Sequence, residues 1–141
     1  MDSDRHLKKR LESIIQFNFR DKHFNVKKLS RIYRASPSHL RELVKKHYGF
    51  SPHKLIENVR LENSFEPLMG DDEIADIALD TGFANAQSYR RTFKRRLNIL
   101  PSEFRQLFNK SEENKEEKLK IFRKYLWINK KGSFLPGDFA S

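Results

Sequence analysis

Residues 74–105 read IADIALDTGFANAQSYRRTFKRRLNILPSEFR, and they predict two helices joined by a tight turn. Apolar residues recur at helical spacing on both sides of the turn, namely Ile74, Ile77 and Ala78 before it and Tyr89, Phe93 and Leu97 after it. Asp72 can cap the first helix, and Gly82 ends it at the turn. Asn85 suits the N-cap of the second helix because its side-chain oxygen can accept a free backbone N–H. Pro101 then opens a further short helix.

The charge of this stretch changes sign at Gly82. Acidic side chains come first, at Asp71, Asp72, Glu73, Asp76 and Asp80, and basic ones follow, at Arg90, Arg91, Lys94, Arg95 and Arg96. Solvated helix faces would also explain such charged runs, so whether the runs are functional depends on the motif in which they occur. The 141-residue chain has a formal net charge of +10. This excess favours an anionic partner, with nucleic acid ahead of a membrane surface or an acidic protein.

The same helix-turn-helix pattern occurs earlier in the chain. A shift of 49 positions aligns Leu40 with Tyr89, Val44 with Phe93, Lys45 with Lys94, Gly49 with Asn98 and Pro52 with Pro101. The preceding helices align at a shift of 48, which matches Val26 with Ile74, Leu29 with Ile77 and Ser30 with Ala78. Ser36 and Pro37 provide the N-cap and the first position of the earlier second helix. Two unrelated helical hairpins would share apolar positions but not these caps, so we predict two helix-turn-helix units.

No segment alternates with period two, so the predicted fold is all-α and homeodomain-like. Its expected parts are a first helix-turn-helix subdomain, a linker helix, a second helix-turn-helix subdomain and a C-terminal helical extension with a tail, at residues 1–50, 51–70, 71–108 and 109–141. The linker helix is predicted from about Ser51 to Glu66, about 24 Å at 1.5 Å per residue, with Pro67 and Gly70 as its end signals and Pro67 expected to shorten or kink it. With flanking turns, this length separates the two recognition helices by about 34 Å, one turn of DNA.

Further helices are predicted at both ends of the chain. Arg5 to Phe17 has the spacing of an N-terminal helix, and Ser111 to Trp127 that of a C-terminal one. The aromatic residues Phe122, Tyr125 and Trp127 are expected to dock onto the rest of the domain. A dimer surface or a surface for RNA polymerase is the alternative. Gly132 to Ser141 is expected to be a mobile tail.

Together these residues resemble the DNA-binding domain of the AraC/XylS family of bacterial transcription regulators. In the first unit the resemblance lies in residues 36–64, SPSHLRELVKKHYGFSPHKLIENVRLENS. In the second, residues 74–105 are similar to the family signature of Ile-Ala, a Gly-Phe turn, Ser-Tyr, Phe-Lys and Pro-x-x-Phe/Tyr-Arg. The resemblance covers about Leu11 to Leu107. Three positions depart from the family pattern: Arg90 replaces an aromatic residue, Asn98 a glycine and Leu100 a threonine.

Base contacts are predicted for six residues near the starts of the two recognition helices: Ser38, Arg41 and Glu42 by the resemblance, and Ala86, Gln87 and Arg91 by their exposure there. Arg41 can donate two hydrogen bonds to guanine. Glu42 can accept from cytosine or is simply an exposed helix acid, and both readings stay open. Gln87 suits adenine, and Arg91 suits guanine or phosphate. Ala86 suits a thymine methyl group.

Phosphate contacts are predicted for eight residues: Ser36, Lys45, Lys46, Asn85, Arg90, Lys94, Arg95 and Arg96. The basic members would fix the position of each helix on the duplex without reading its sequence. Ser36 and Asn85 are caps, and they direct the free N–H groups of a helix start toward phosphates. For the basic residues of the second helix, a solvated face is the alternative.

Several function classes are excluded or disfavoured. The chain has no cysteine, which excludes disulfides, thiolate catalysis and cysteine-ligated zinc. Its five histidines lack a metal-binding spacing, and neither a Ser-His-Asp set nor a glycine-rich phosphate loop is apparent, so no enzyme, metal or other cofactor is predicted. No apolar run approaches the ~20 residues of a membrane span, and the charged N-terminus does not resemble a secretory signal. We expect a cytoplasmic protein that is a monomer or a weak dimer.

The leading hypothesis is a sequence-specific double-stranded-DNA-binding transcription regulator that inserts two recognition helices into successive major grooves. The resemblance implies an activator, with RNA polymerase as a further candidate partner. One alternative is an architectural DNA-binding protein with low sequence preference. Another is a protein-interaction module that uses the acidic helix and the C-terminal aromatic residues. The sequence leaves open whether the chain stands alone or is part of a longer sensor protein.

Overall fold

The computed structural model describes residues 2–110 and 113–128, and this part of the chain consists of eight α-helices without a strand. The helices are α1 (Asp2–Asn18), α2 (Val26–Tyr33), α3 (Pro37–Tyr48), α4 (Pro52–Met69), α5 (Ile74–Asp80), α6 (Ala86–Leu97), α7 (Pro101–Asn109) and α8 (Lys115–Trp127). α2 and α3 form the first helix-turn-helix unit, α5 and α6 form the second, and α4 joins them. The predicted all-α fold is confirmed.

The second helix of each unit begins and ends by the same local chemistry. The Ser36 and Asn85 side chains each accept a hydrogen bond from the backbone N–H of the third helical residue, at 3.1 and 2.8 Å. Gly49 (φ 82°) and Asn98 (φ 63°) end α3 and α6 in the left-handed conformation that glycine and asparagine favour. Both helices span 12 residues and start 49 positions apart, which confirms the predicted repeat.

The two turns match at a shift of 48. In each, a backbone N–H donates to the carbonyl five residues earlier, at 3.1 Å for Ala35 to Ser30 and at 2.9 Å for Phe83 to Ala78. Just before this N–H lies a left-handed residue, Arg34 (φ 64°) in the first unit and Gly82 (φ 92°) in the second. The extra residue of the second unit follows this bond, directly before the cap of α6.

The linker helix α4 belongs to both hydrophobic cores. It contributes Leu55, Ile56 and Val59 to the first core and Leu61, Phe65 and Leu68 to the second. The first core is otherwise formed by α1, α2, α3 and the residues around them, and the second by α5 to α8. The two units are therefore packed on opposite halves of one helix. The subdomain boundaries at residues 50, 70 and 108 stay a prediction.

The C-terminal helix packs against the rest of the domain, as predicted. Phe122 and Leu126 are fully buried in the second core, and Tyr125 and Trp127 pack partly buried at its edge. Burial of these apolar side chains stabilises the docked position of α8. The tail predicted at 132–141 lies outside the described residues.

Two predicted helix starts are wrong. Asp72 does not cap α5, because the N-cap position is one residue later, at Glu73, and makes no side-chain capping bond. α8 begins at Lys115 rather than at Ser111, since Asn114 adopts a left-handed conformation (φ 63°) directly before it. In both places the helix begins later than the sequence pattern predicts.

Of the two predicted end signals, α4 continues past Pro67 to Met69, and Gly70 is its C-cap. The Leu68 side chain is fully buried in the second core and anchors the last turn. Arg105 donates to the backbone carbonyl oxygen of Leu68 at 2.8 Å and to that of Pro67 at 3.4 Å. The same guanidinium donates to the Asp72 carbonyl at 2.6 Å. The Pro67 carbonyl also accepts from the Gly70 N–H at 3.1 Å, and together these bonds hold the turn beyond the proline.

A second arginine, Arg60 in the middle of α4, binds the segment between α1 and α2. Its guanidinium donates to three backbone carbonyls at and after the end of α1: Phe19 at 3.0 Å, Asp21 at 3.0 Å and Phe24 at 2.9 Å. Gly82 of the second turn lies against the Phe19 carbonyl and the Arg60 side chain. A Cβ atom at Gly82 would be 2.0 Å from the Phe19 carbonyl oxygen and 2.7 Å from Arg60 Nε. Only glycine fits where the second turn meets α1.

Candidate nucleic-acid interface

The outer face of α3 carries the side chains that are predicted to contact DNA. Leu40 and Val44 are fully buried on its inner side. Its exposed residues are Ser38, His39, Arg41, Glu42, Lys45 and Lys46. The Arg41 guanidinium donates to the Ser38 hydroxyl at 3.3 Å, so two predicted base-contacting residues adjoin near the helix start.

α6 presents the same arrangement in the second unit. Its inner side is formed by the fully buried Tyr89, Phe93 and Leu97. Its exposed residues include Gln87, Arg90, Arg91, Lys94 and Arg95, whereas Ala86 is half-buried. Lys94 Nζ donates to the Asn98 backbone carbonyl at 3.1 Å, at the helix end where a cation is favoured. The exposed basic residues of this helix thus extend from its second turn, at Arg90, to its last turn, at Arg95.

The starts of α3 and α6 are suited to an anion. Ser36 and Asn85 are exposed caps, and neither helix has an acidic residue in its first turn. The first-turn N–H groups that no cap occupies carry the partial positive charge of the helix dipole. Each recognition helix therefore directs a positive end and a basic face outward.

Arg96 lies on the inner side of α6, away from these exposed basic residues. Its guanidinium donates to Glu57 Oε1 and to Asn58 Oδ1, both at 2.5 Å, and 9% of its side chain is exposed. A guanidinium held in this way is not available to a phosphate, so the predicted phosphate contact of Arg96 is corrected. Arg95 also reaches Glu57, at 3.0 Å, but 59% of its side chain stays exposed.

The sequence gives no sign of the acid that pairs with these arginines. Glu57 of α4 contacts both of them from 38 and 39 positions away, and His53 Nε2 lies 3.6 Å from its carboxylate. Burial lowers the pKa of the neighbouring Lys54, and Arg96 lowers it further, while Glu57 opposes the shift. We call Lys54, Glu57, Arg95 and Arg96 the Glu57 cluster. It ties the second recognition helix to the linker helix.

Other kinds of site have less support. Within residues 2–110 and 113–128, no group of three or more histidine, aspartate or glutamate side chains is placed to hold a metal ion. None of the described helices combines the length and apolar character of a membrane span. A groove of about 880 Å³ lies between α1, α4 and α8, and both acidic and basic side chains line it. This mixture does not indicate one class of ligand.

Known protein sequences match most of this region. The helix-turn-helix domain family matches residues 29–107, more than half of the chain. AdaA of Bacillus subtilis, a bifunctional transcriptional activator and DNA repair enzyme, is 33% identical over 100 residues, which cover 70% of this chain and 46% of AdaA. The transcriptional regulator MtrA of Neisseria gonorrhoeae is 27% identical over 100 residues, 69% of this chain and 33% of MtrA. The chain thus spans less than half the length of these relatives.

Solved structures share the fold. The C-terminal domain of AraT, a response regulator from Geobacillus stearothermophilus, has a TM-score of 0.67 and 23% identity over 71% of this chain and 84% of that one. An AraC-type DNA-binding-domain regulator from Chromobacterium violaceum has a TM-score of 0.66 and 21% identity over 75% of this chain and 95% of that one. The resemblance predicted from the sequence is confirmed, and the chain belongs to the AraC-type family of helix-turn-helix DNA-binding domains.

Proposed function

We propose that this chain is a sequence-specific double-stranded-DNA-binding transcription regulator that inserts α3 and α6 into successive major grooves. One observation carries the proposal: two helices of equal length, with equivalent caps and exposed basic faces, are packed on one linker helix. The major groove admits an α-helix. The 18 residues of α4 span about 27 Å, and with flanking turns this suits grooves about 34 Å apart.

Base recognition is assigned to the starts of the two helices. Arg41, positioned beside Ser38, would donate to guanine, and Glu42 would accept from cytosine. On α6, Gln87 would bind adenine and Arg91 guanine. Ser38 would support Arg41 or reach a base itself, and Ala86, which is half-buried and not fully exposed as predicted, would contact a thymine methyl group through its exposed part. These six residues differ between the units, so the two half-sites should differ in sequence.

Affinity is assigned mainly to phosphate contacts. The exposed basic residues that would make them are Lys45 and Lys46 on α3 and Arg90, Lys94 and Arg95 on α6. Ser36 and Asn85 would place the two helix starts against the backbone of the duplex. Arg96 is left out because Glu57 and Asn58 hold it on the inner side.

We further propose that the regulator is an activator and that RNA polymerase is an additional partner, since AdaA is named a transcriptional activator. A single chain already carries two recognition helices, so a monomer is sufficient to contact two half-sites. A cytoplasmic location follows from this function. An architectural DNA-binding protein would use the same basic surface with little sequence preference, and it is the second candidate.

Selection from a pool of random duplexes separates these candidates. We expect enrichment of two short, different half-sites about 10 base pairs apart, centre to centre. Binding without an enriched motif at moderate salt would favour the architectural candidate. Absence of binding to any duplex would contradict both.

The variant Arg91→Ala tests base recognition within the same selection. We expect it to relax the preference in one half-site at a loss of about 1–3 kcal/mol for the preferred sequence. Lys94→Ala is the control on the same helix, and it should leave the enriched motif unchanged. An equal loss on every sequence for Arg91→Ala would show that Arg91 contacts phosphate only.

A further inference from the structure

The last helix of the described chain, α8, lies outside the stretch that matches the family, which ends at residue 107. It nevertheless contacts both helix-turn-helix units. Leu119, Phe122 and Leu126 are buried in the second core, and Trp127 packs against both cores. α8 is therefore placed to act on the relation between the two units.

Trp127 reaches the end of the first recognition helix. Its ring lies 6.2 Å, centroid to centroid, from the rings of Tyr48 and Phe50. Tyr48 is the last residue of α3, and Phe50 follows the glycine that caps that helix. Trp127 Nε1 also donates to Glu62 Oε2 of α4 at 2.8 Å, which fixes the ring against the linker helix.

The preceding residue of α8 is linked to the second recognition helix. The Leu126 backbone carbonyl, in the last turn of α8, accepts from Asn58 Nδ2 at 2.7 Å. Asn58 is fully buried on α4, and its Oδ1 accepts from Arg96 of α6. One turn of α8 thus touches α3 directly and α6 through a single intervening side chain.

We propose that the last turn of α8 is a brace that sets the distance and angle between α3 and α6, and that it thereby determines the half-site spacing which the protein accepts. The proposal rests on the proposed function. Arg60 already ties the end of α1 to α4, on the side of Gly82. The first core also holds α3 against α4, and the ring contacts of Trp127 with Tyr48 and Phe50 add a restraint between the end of α3 and α8. Trp127 is thus a positioning residue and not a contact to DNA.

The test varies the spacing between two selected half-sites by one base pair at a time. The full chain should prefer one spacing by about tenfold, which corresponds to about 1.4 kcal/mol. Trp127→Ala should flatten this preference to about threefold or less while the motif of each half-site is kept. Affinity for a duplex with one half-site should be unchanged.

Leu119→Ala is the matched control, because it removes a buried side chain of α8 in the second core without touching Tyr48 or Phe50. It should lower thermal stability and keep the spacing preference. Trp127→Phe, which retains an aromatic ring but removes the bond to Glu62, serves if the alanine variant does not fold, and an intermediate preference is expected. A spacing preference that stays tenfold in a folded Trp127 variant would contradict the proposed brace and would leave the proposed function standing. Failure of the wild-type chain to enrich any motif overturns the proposed function instead.

Discussion

Arg34 and Gly82 occupy the same place in the two turns, and both have a left-handed backbone. This conformation costs a residue with a side chain roughly 1–2 kcal/mol. Arg34 is exposed and accepts that cost, whereas a Cβ atom at Gly82 would meet the Phe19 carbonyl oxygen. The requirement for glycine therefore comes from the neighbour and not from the turn.

We expect Gly82→Ala to lower the free energy of unfolding by more than about 2 kcal/mol, because strain and a backbone clash add. Urea denaturation measures the loss. Gly70→Ala is the matched control, since Gly70 has a negative φ and its nearest neighbour would lie 3.5 Å from the new Cβ. That variant should change stability by less than about 1 kcal/mol. Similar losses in the two variants would contradict the role given to Gly82.

Sequence reasoning works at this scale where a residue depends on its nearest neighbours. Ser36 and Asn85 were predictable as caps because their side chains bond to the helix that they begin. The left-handed Asn98 was predictable from its alignment with Gly49, since both residue types favour that conformation. Arg34 was not, because arginine has no such preference. Its left-handed conformation is explained by the hydrogen bond that the next residue, Ala35, donates to the Ser30 carbonyl in the turn.

Among the elements, the end of α4 shows how a distant residue sets the length of a helix. Pro67 and Gly70 both signal an end, and the helix passes the first and stops at the second, where Arg105 of α7 binds the Leu68 and Pro67 carbonyls. In the sequence, Arg105 belongs only to the Pro-x-x-Phe-Arg pattern. Its partners lie 33 to 38 positions away, a separation at which no local rule applies.

We expect Arg105→Met to destabilise the protein by about 1–3 kcal/mol, because three backbone carbonyls lose a charged donor while the aliphatic part is kept. Hydrogen exchange should rise most at the junction of α4 and α5. Arg123→Met removes a more exposed arginine that lies 3.4 Å from Glu62, and this control should lose less than about 1 kcal/mol. Unchanged protection at the junction would argue against the capping role.

The Glu57 cluster shows a second limit at the element scale. Five basic residues of α6 are equivalent in the sequence, and four of them, Arg90, Arg91, Lys94 and Arg95, are exposed. Arg96 turns inward to Glu57 and Asn58. Helical spacing identifies which face a residue is on, but the acid that draws one arginine inward is contributed by another helix.

Over the whole molecule, the net charge of +10 is concentrated in part on the outer faces of α3 and α6. Five exposed basic residues are proposed to contact phosphate: Lys45, Lys46, Arg90, Lys94 and Arg95. Each phosphate contact releases counterions from the duplex, so affinity should fall as salt rises.

We expect a plot of log affinity against log salt concentration to have a slope of about −4 to −5, at about −0.9 per phosphate contact. Lys94→Ala should make the slope less negative by about 1 and weaken all duplexes to a similar degree. Lys120→Ala, which removes an exposed lysine of α8, should leave the slope unchanged. A slope near zero for the wild-type chain would contradict phosphate-dominated binding.

The overall architecture was predictable because the repeat places apolar residues, caps and turns twice in the same order. The relation between the two units was not. It depends on Arg60, Glu57 and Trp127, whose hydrogen-bond partners lie 36 to 65 positions away. Hydrogen bonds between side chains that are far apart in the sequence produce no periodic pattern in it. These bonds hold the two units in place relative to each other.

Because Gly82 lies directly against the end of α1 and Arg60, the turns of the two repeats cannot simply be exchanged. A chimaera with the first turn in both places would put an arginine at position 82, against the Phe19 carbonyl. The reverse exchange places a glycine at an exposed position, where it meets no such obstacle. The two units are alike in α3 and α6 and differ where the second turn meets α1, so exchanging the two turns is expected to cause strain only at position 82.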